Sequence, residues 1–220
     1  AMVKRFGGFG FELGRENDAL RREYTQAYHA CVSFVDAQIG LILDKLKAQK
    51  LWNDTIVIFT SDHGYHLGEH FMWGKVTLFE ECARVPLIVR VPRVSPAGKT
   101  SQGLVETIDL FPTLAELCDL DAPAHLQGQS YTSLIRKPDG PGKPSAYTVV
   151  SRGTQLGRSI RTQRWRYAEW GEAKAAELYD LQSDPREYTN LAKSPQHRDI
   201  VGQMKSRLAK RQTQAVSAQN

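Results

Sequence analysis

Residues 21 to 64 constrain the fold more tightly than any other stretch of this chain. Tyr28, Val32, Val35, Ile39, Ile42 and Leu46 recur at alternating steps of four and three. That is one apolar stripe along a helix predicted from about Arg21 to Lys50. Lys45, Lys47 and Lys50 crowd its end, where positive charge suits the negative pole of the helix dipole. Asn53-Asp54 then marks a turn, and Thr55-Ile56-Val57-Ile58-Phe59 follows without a charge. Such a run predicts a short strand buried on both faces, as in a parallel sheet covered by helices. A helix that delivers straight into such a strand is the repeating piece of an α/β fold.

The strand runs out in Thr60-Ser61-Asp62-His63-Gly64. In open α/β sheets, ligand sites lie just beyond the carboxyl ends of the strands. Asp62 and His63, two possible metal ligands, stand at that place, and Gly64 permits a sharp turn. An Asp-His pair alone often does no more than cap a loop. Here His66, Glu69, His70 and Lys75 crowd the next dozen residues. Few of these side chains could be fully buried without a partner. A loop so dense in ionisable groups, at the end of a buried strand, points to a site.

The rest of the chain supports an α/β reading with a second, smaller part. Val85-Pro86-Leu87-Ile88-Val89-Arg90-Val91-Pro92 predicts another strand, its prolines placed where no ladder donor is needed. A helix should begin near Asp109, the expected N-cap, with Pro112 tolerated in the first turn. Pro138 to Pro144 holds three prolines and two glycines and marks the expected boundary, giving parts 1–144 and 145–220. Beyond it, Tyr147–Ser151, Arg158–Thr162, Trp165–Trp170 and Glu177–Leu181 predict a small antiparallel sheet. Ser194-Pro195 opens a last helix to about Arg211, with Ile200, Met204 and Leu208 on one face. Residues 1–17 are expected to be loop, and residues 212–220 a frayed end.

Composition sets limits on function. The chain has 41% hydrophobic and 24% charged residues, and no run of about 18 apolar residues, so no membrane span is expected. Net charge is +5, with 13 Lys/Arg against 7 Asp/Glu from Ser151 onward and 16 against 17 before it. A basic last third could attract a polyanion. A solvated face with a basic terminal helix is the preferred account, and no nucleic-acid partner is expected. Three cysteines, none in a C-x-x-C pair, do not make a disulfide framework. Cys31 and Cys118 lie among apolar residues and are expected in the core.

Thr60-Ser61-Asp62-His63-Gly64-Tyr65-His66-Leu67-Gly68-Glu69-His70-Phe71-Met72-Trp73-Gly74-Lys75 resembles the second signature region of the sulfatases, within the alkaline-phosphatase-like superfamily. The iduronate-2-sulfatase-like enzymes are the branch it is most similar to. The resemblance spans nearly the whole chain. It takes in Tyr28 to Lys47, Val85-Pro86-Leu87-Ile88, and Asp109-Leu110-Phe111-Pro112-Thr113-Leu114. Glu177-Leu178-Tyr179-Asp180-Leu181 with Asp184-Pro185-Arg186-Glu187 and Asn190-Leu191 resembles the family's C-terminal subdomain.

The resemblance implies the C-terminal part of a mostly parallel sheet flanked by helices, followed by a small α+β subdomain. It implies hydrolysis of a sulfate ester, on a sulfated sugar or other small molecule, in a periplasmic, lysosomal or extracellular setting. It implies calcium, with Asp62 as a ligand and His63 in the adjacent ligand place, and Lys75 on the sulfate. His63 and Lys75 are thus the expected catalytic residues, and Lys75, His70 and His66 the expected substrate contacts. Calcium prefers oxygen ligands, whereas manganese or zinc would suit an imidazole better.

One departure from the family matters. Sulfatases take their formylglycine nucleophile from the cysteine of C-x-P-x-R, and Cys31, Cys82 and Cys118 all lack that context. The early Asp-Asp pair of the family's metal site is absent too. The expectation is therefore a C-terminal half that needs the N-terminal half of the same enzyme and is inactive alone. Two other readings stand beside it: a phosphonate monoester or phosphodiester hydrolase of the same superfamily, and a non-catalytic module that binds acidic glycans.

Overall fold

The computed structural model describes residues 18–171 and 175–217. In chain order the elements are α1 (Asp18–Ala48), β1 (Val57–Thr60), β2 (His66–Leu67), β3 (Trp73–Gly74), α2 (Glu80–Ala83), β4 (Leu87–Arg90), α3 (Leu110–Leu117) and α4 (Thr132–Arg136). Then come β5 (Ala146–Arg152), β6 (Gln155–Arg161), β7 (Trp165–Trp170), β8 (Ala175–Asp180) and α5 (Arg198–Ser217). Two compact units result. Of the described residues, one unit holds those up to Lys75 together with Pro86–Arg93, and the other holds Val76–Val85 and those from Val94 onward. The loop expected over residues 1–17 lies outside the described residues.

In the first unit, α1 leads through a 3-10 turn at Trp52–Asp54 into β1. β1 pairs antiparallel with β4, with Val57 opposite Arg90 and Thr60 opposite Leu87. Arg90 ties the turn down: its guanidinium stacks 4.0 Å from the Trp52 ring and donates to the Trp52 carbonyl at 2.6 Å. Two expectations need correction. No residue of α1 is fully buried, and Phe34 and Ile42 are 66% and 62% exposed. β1 is only half buried, with Phe59 exposed, and Ile88 opposite it on β4 is 64% exposed. A hydrogen-bonded neighbour covers a strand's edge, not its faces. Among the described residues of this unit, β4 is the one strand beside β1. Cys31, on α1, is exposed for the same reason.

The second unit is built on an antiparallel meander, β5-β6-β7-β8. α5 lies on it, and Ile160, Tyr167, Leu178, Met204 and Leu208 form the core between them. The strands fall within a few residues of those expected. α5 runs on to Ser217, because residues 212–217 contain no glycine or proline to stop it. Cys118 is exposed, contrary to expectation, since it follows the last residue of α3.

Asp109 does not cap α3 with its side chain as expected; Glu106 is the capping residue, one turn earlier. A 3-10 turn at Thr107–Asp109 precedes α3, and Asp109 closes a capping box with Glu106. Its other oxygen accepts from the Gln129 amide at 2.8 Å and from Lys143 at 2.5 Å. Lys143 also reaches Glu106, and Arg211 of α5 binds both Glu106 oxygens at 2.9 and 3.1 Å. Two buried carboxylates thus face two cations, the balance such burial requires.

A second buried pair joins Arg166 of β7 to Glu187, which adopts a left-handed φ of 57°. Glu187 also accepts from the Glu80 amide at 2.8 Å, and the Arg166 guanidinium lies 5.0 Å from the Phe79 ring and 4.9 Å from that of Tyr179. Nearby, Asn190 accepts from the Leu178 and Ala192 amides at 3.1 and 2.9 Å. The segment after β8 is thereby sewn to the sheet.

Candidate functional site

The candidate site lies in the first unit, where the chain leaves β1. Ser61 donates to the His63 carbonyl at 2.8 Å and so closes a tight turn. Within it, Asp62 Oδ1 accepts from the His63 amide at 2.9 Å. That amide, more than any other neighbour, holds the Asp62 carboxyl below the usual carboxylate range. The side chain is 82% exposed, an ionised carboxylate open to an incoming cation.

The same turn orients the His63 ring. Its Nδ1 lies 2.9 Å from the Gly64 carbonyl oxygen. A carbonyl only accepts, so Nδ1 carries a hydrogen, and an ammonium only donates, so the Nε2 that faces Lys75 presents a lone pair. Lys75 donates to that lone pair, with Nζ 2.7 Å from Nε2. Asp62 Oδ2 stands 3.3 Å from the same nitrogen. A carboxylate, an imidazole lone pair and an exposed ammonium therefore share one space.

Lys75 reaches this place through an unusual loop. β2 and β3 pair for only two residues, His66 with Gly74 and Leu67 with Trp73. Gly68 and Gly74 have φ of 116° and 112°, and His70, Phe71 and Val76 also take positive φ. A β-branched valine at φ 71° is a genuine outlier, and such backbone gathers at functional sites.

The structure brings Asp62, His63 and Lys75 together and places the two other histidines differently. His66 is fully buried and meets His70 edge-on, ring centres 5.9 Å apart. His70 keeps part of its surface. Glu69 turns inward to accept from the Leu67 amide at 2.6 Å. The sequence reading missed the aromatic side chains behind the site: Tyr24, Tyr28, Tyr65 and Trp73. Tyr24 and Tyr28, four apart on a predicted helix, were the available signal.

Asp62 offers a divalent cation one oxygen donor, and His63 Nε2 offers one nitrogen donor once Lys75 gives up its hydrogen bond to that lone pair. Two donors are fewer than the 6–8 that calcium takes, so any such ion needs further ligands.

Comparison with known proteins bears on this arrangement. Residues 4–120 match the sulfatase family, and residues 68–214 match the C-terminal region of N-sulphoglucosamine sulphohydrolase. A sulfatase of Formosa agariphila is 34% identical over 88% of this chain and 37% of its own length. Iduronate 2-sulfatase of Mus musculus is 30% identical over 83% of this chain and 46% of its own length. The chain thus spans less than half of these relatives and corresponds to their C-terminal portion. A solved structure described as bound to its substrate D-glucosamine-2-N,6-O-disulfate superposes with a TM-score of 0.84 at 28% identity, covering 88% of this chain and 41% of that one. The phosphonate monoester hydrolase of Agrobacterium radiobacter superposes at 0.76 and 28% identity, covering 83% and 40%.

Proposed function

This chain belongs to the sulfatase family, and on that premise we propose that it is the C-terminal portion of a sulfuric ester hydrolase acting on a sulfated sugar or glycosaminoglycan. The convergence of Asp62, His63 and Lys75 carries the reading. Sulfatases use a divalent metal. Here Asp62 and His63 Nε2 would hold it, calcium by preference and manganese or zinc as the alternatives an imidazole favours. Once bound, the cation would offset the negative charge of the sulfate ester.

Lys75 has its own task. Its exposed ammonium can donate to the ester oxygen on which charge builds as the bond to sulfur breaks. His63 is held in one tautomer by Gly64, so its lone pair needs no reorganisation. Of the two further histidines, only His70 has surface to offer a substrate, and His66 backs the loop.

The nucleophile comes from outside these 220 residues, since no cysteine here stands in C-x-P-x-R. The rest of the enzyme is the partner that covers the exposed apolar side chains of α1, β1 and β4. Bare Val, Phe, Leu and Ile along a 31-residue helix call for such a cover. Residues 1–144 are then the C-terminal part of the catalytic α/β domain, and 145–220 the small subdomain of β5–β8 and α5. The setting is periplasmic, lysosomal or extracellular; among the described residues no helix is long and apolar enough to cross a membrane.

The nitrogen donor of His63 favours a second reading, a phosphonate or phosphodiester hydrolase. The test is hydrolysis by the intact enzyme of an aryl sulfate and an aryl phosphodiester side by side. Preference for the sulfate supports the first reading, and preference for the diester replaces it with the second.

A further inference from the structure

The Asp62-His63 turn and Lys75 sit on two arms of one loop. Regular structure does little to hold those arms together, because the β2–β3 ladder is only two residues long. Tyr24 of α1 touches both arms. The Tyr24 hydroxyl lies 2.5 Å from the Tyr65 hydroxyl, and Tyr65 is two residues after His63. The Tyr24 ring also stands edge-on to Trp73, 5.0 Å between centres at 77°, and Trp73 is two residues before Lys75. Tyr28, one turn further along α1, packs against Tyr65 at 5.5 Å.

We propose that Tyr24 is a positioning residue: its hydroxyl fixes the arm that carries His63, its ring fixes the arm that carries Lys75, and together they set where Lys75 stands relative to His63. The inference rests on the sulfatase reading for its effect on rate, but not for its effect on geometry. An edge-to-face aromatic pair and a partly buried hydroxyl bridge are directional, so each admits few placements of its partner. A small misplacement of a catalytic group is costly in rate, up to about a hundredfold for 1 Å.

Two variants separate the two contacts. Tyr24→Phe keeps the ring on Trp73 and removes the bridge, and Tyr65→Phe removes the same bridge from the other side. In the intact enzyme each should lower kcat by about tenfold with KM nearly unchanged, in line with a misplaced catalytic group. The double variant should be no worse than either single one, because one shared bond is lost. The second readout needs no substrate: the 15N resonances of the His63 ring in the metal-free protein, with Lys75→Met marking the signal when the lysine contact is gone. Tyr24→Phe should move the His63 Nε2 resonance toward the Lys75→Met position at unchanged melting temperature. A His63 signal identical to wild type in Tyr24→Phe would overturn the proposal, as would a signal that Lys75→Met itself does not shift. If the wild-type enzyme turns over no sulfate ester, the sulfatase reading fails and the His63 resonance still decides the positioning role.

Discussion

Glu187→Gln should be among the most damaging single changes in the second unit. The substitution keeps the size and one acceptor but removes the charge that compensates Arg166. Arg166 is 1% exposed and Glu187 fully buried, so water cannot take the partner's place. Removing one member of a buried ion pair typically costs about 3–5 kcal/mol, because the remaining charge is stranded. Arg166 keeps its stacking on Phe79 and Tyr179, which holds back part of that loss at about 0.5–2 kcal/mol. The glutamine also still offers an oxygen to the Glu80 amide. The balance comes to about 3 kcal/mol. With a urea dependence of about 2 kcal/mol per molar, the unfolding midpoint should fall by about 1.5 M. Circular dichroism across a urea series measures it. Replacing both partners, Arg166→Met with Glu187→Leu, should recover more than half of the loss, since an apolar pair of similar volume strands no charge. A midpoint shift under about 0.3 M for Glu187→Gln would refute the reasoning, showing that the pair contributes little despite its burial.

Three further outcomes are expected. Lys75→Met in the intact enzyme should lower sulfate ester turnover by about 10²–10³ while moving the melting temperature little, as the side chain is exposed; an early melt at normal turnover would make Lys75 structural. The Arg164 guanidinium, 2.8 and 2.9 Å from Asp180, holds its carboxyl down to about 2 from an ordinary value of 3.8. Its stabilisation is therefore present above about pH 4 and lost as pH falls toward 2. Because Arg164 is 53% exposed, that stabilisation is worth about 1 kcal/mol. Asp180→Asn should remove it at pH 7 and flatten the acid loss, as thermal melts at pH 7 and pH 2.5 would reveal. Residues 1–220 purified alone should not hydrolyse an aryl sulfate with calcium present, since no cysteine here has the context to become the nucleophile; robust turnover free of contaminants would contradict this.

Much of the fold was open to reading because it is local. β5 to β8 are short, bounded by turns and followed by a helix whose Met204 and Leu208 show the expected face. Asp62 and His63 could be placed at the end of β1 because an apolar run ends there, and Lys75 joined them through resemblance to a signature. Burial was less legible. The stripe on α1 and the run in β1 say which side chains would rather be covered, but periodicity cannot say whether a covering layer is present. Cys31 and Cys118, judged by their apolar neighbours, turned out exposed for that reason.

The sequence alone determined the order of the longer helices and strands and the residue types that carry the chemistry, since periodicity and spacing are properties of neighbours along the chain; the short β2, β3, α2 and α4 left no such pattern. Only the tertiary structure decided the partners. Glu106 meets Arg211 across 105 positions, Tyr24 meets Tyr65 across 41, and Arg166 meets Glu187 across 21. The state of His63 belongs with these: the Gly64 carbonyl sets which nitrogen bears the hydrogen, and Lys75, twelve residues on, claims the other. Charges and rings act through space at a few ångströms, and that distance is set by the folded chain, not by separation in sequence.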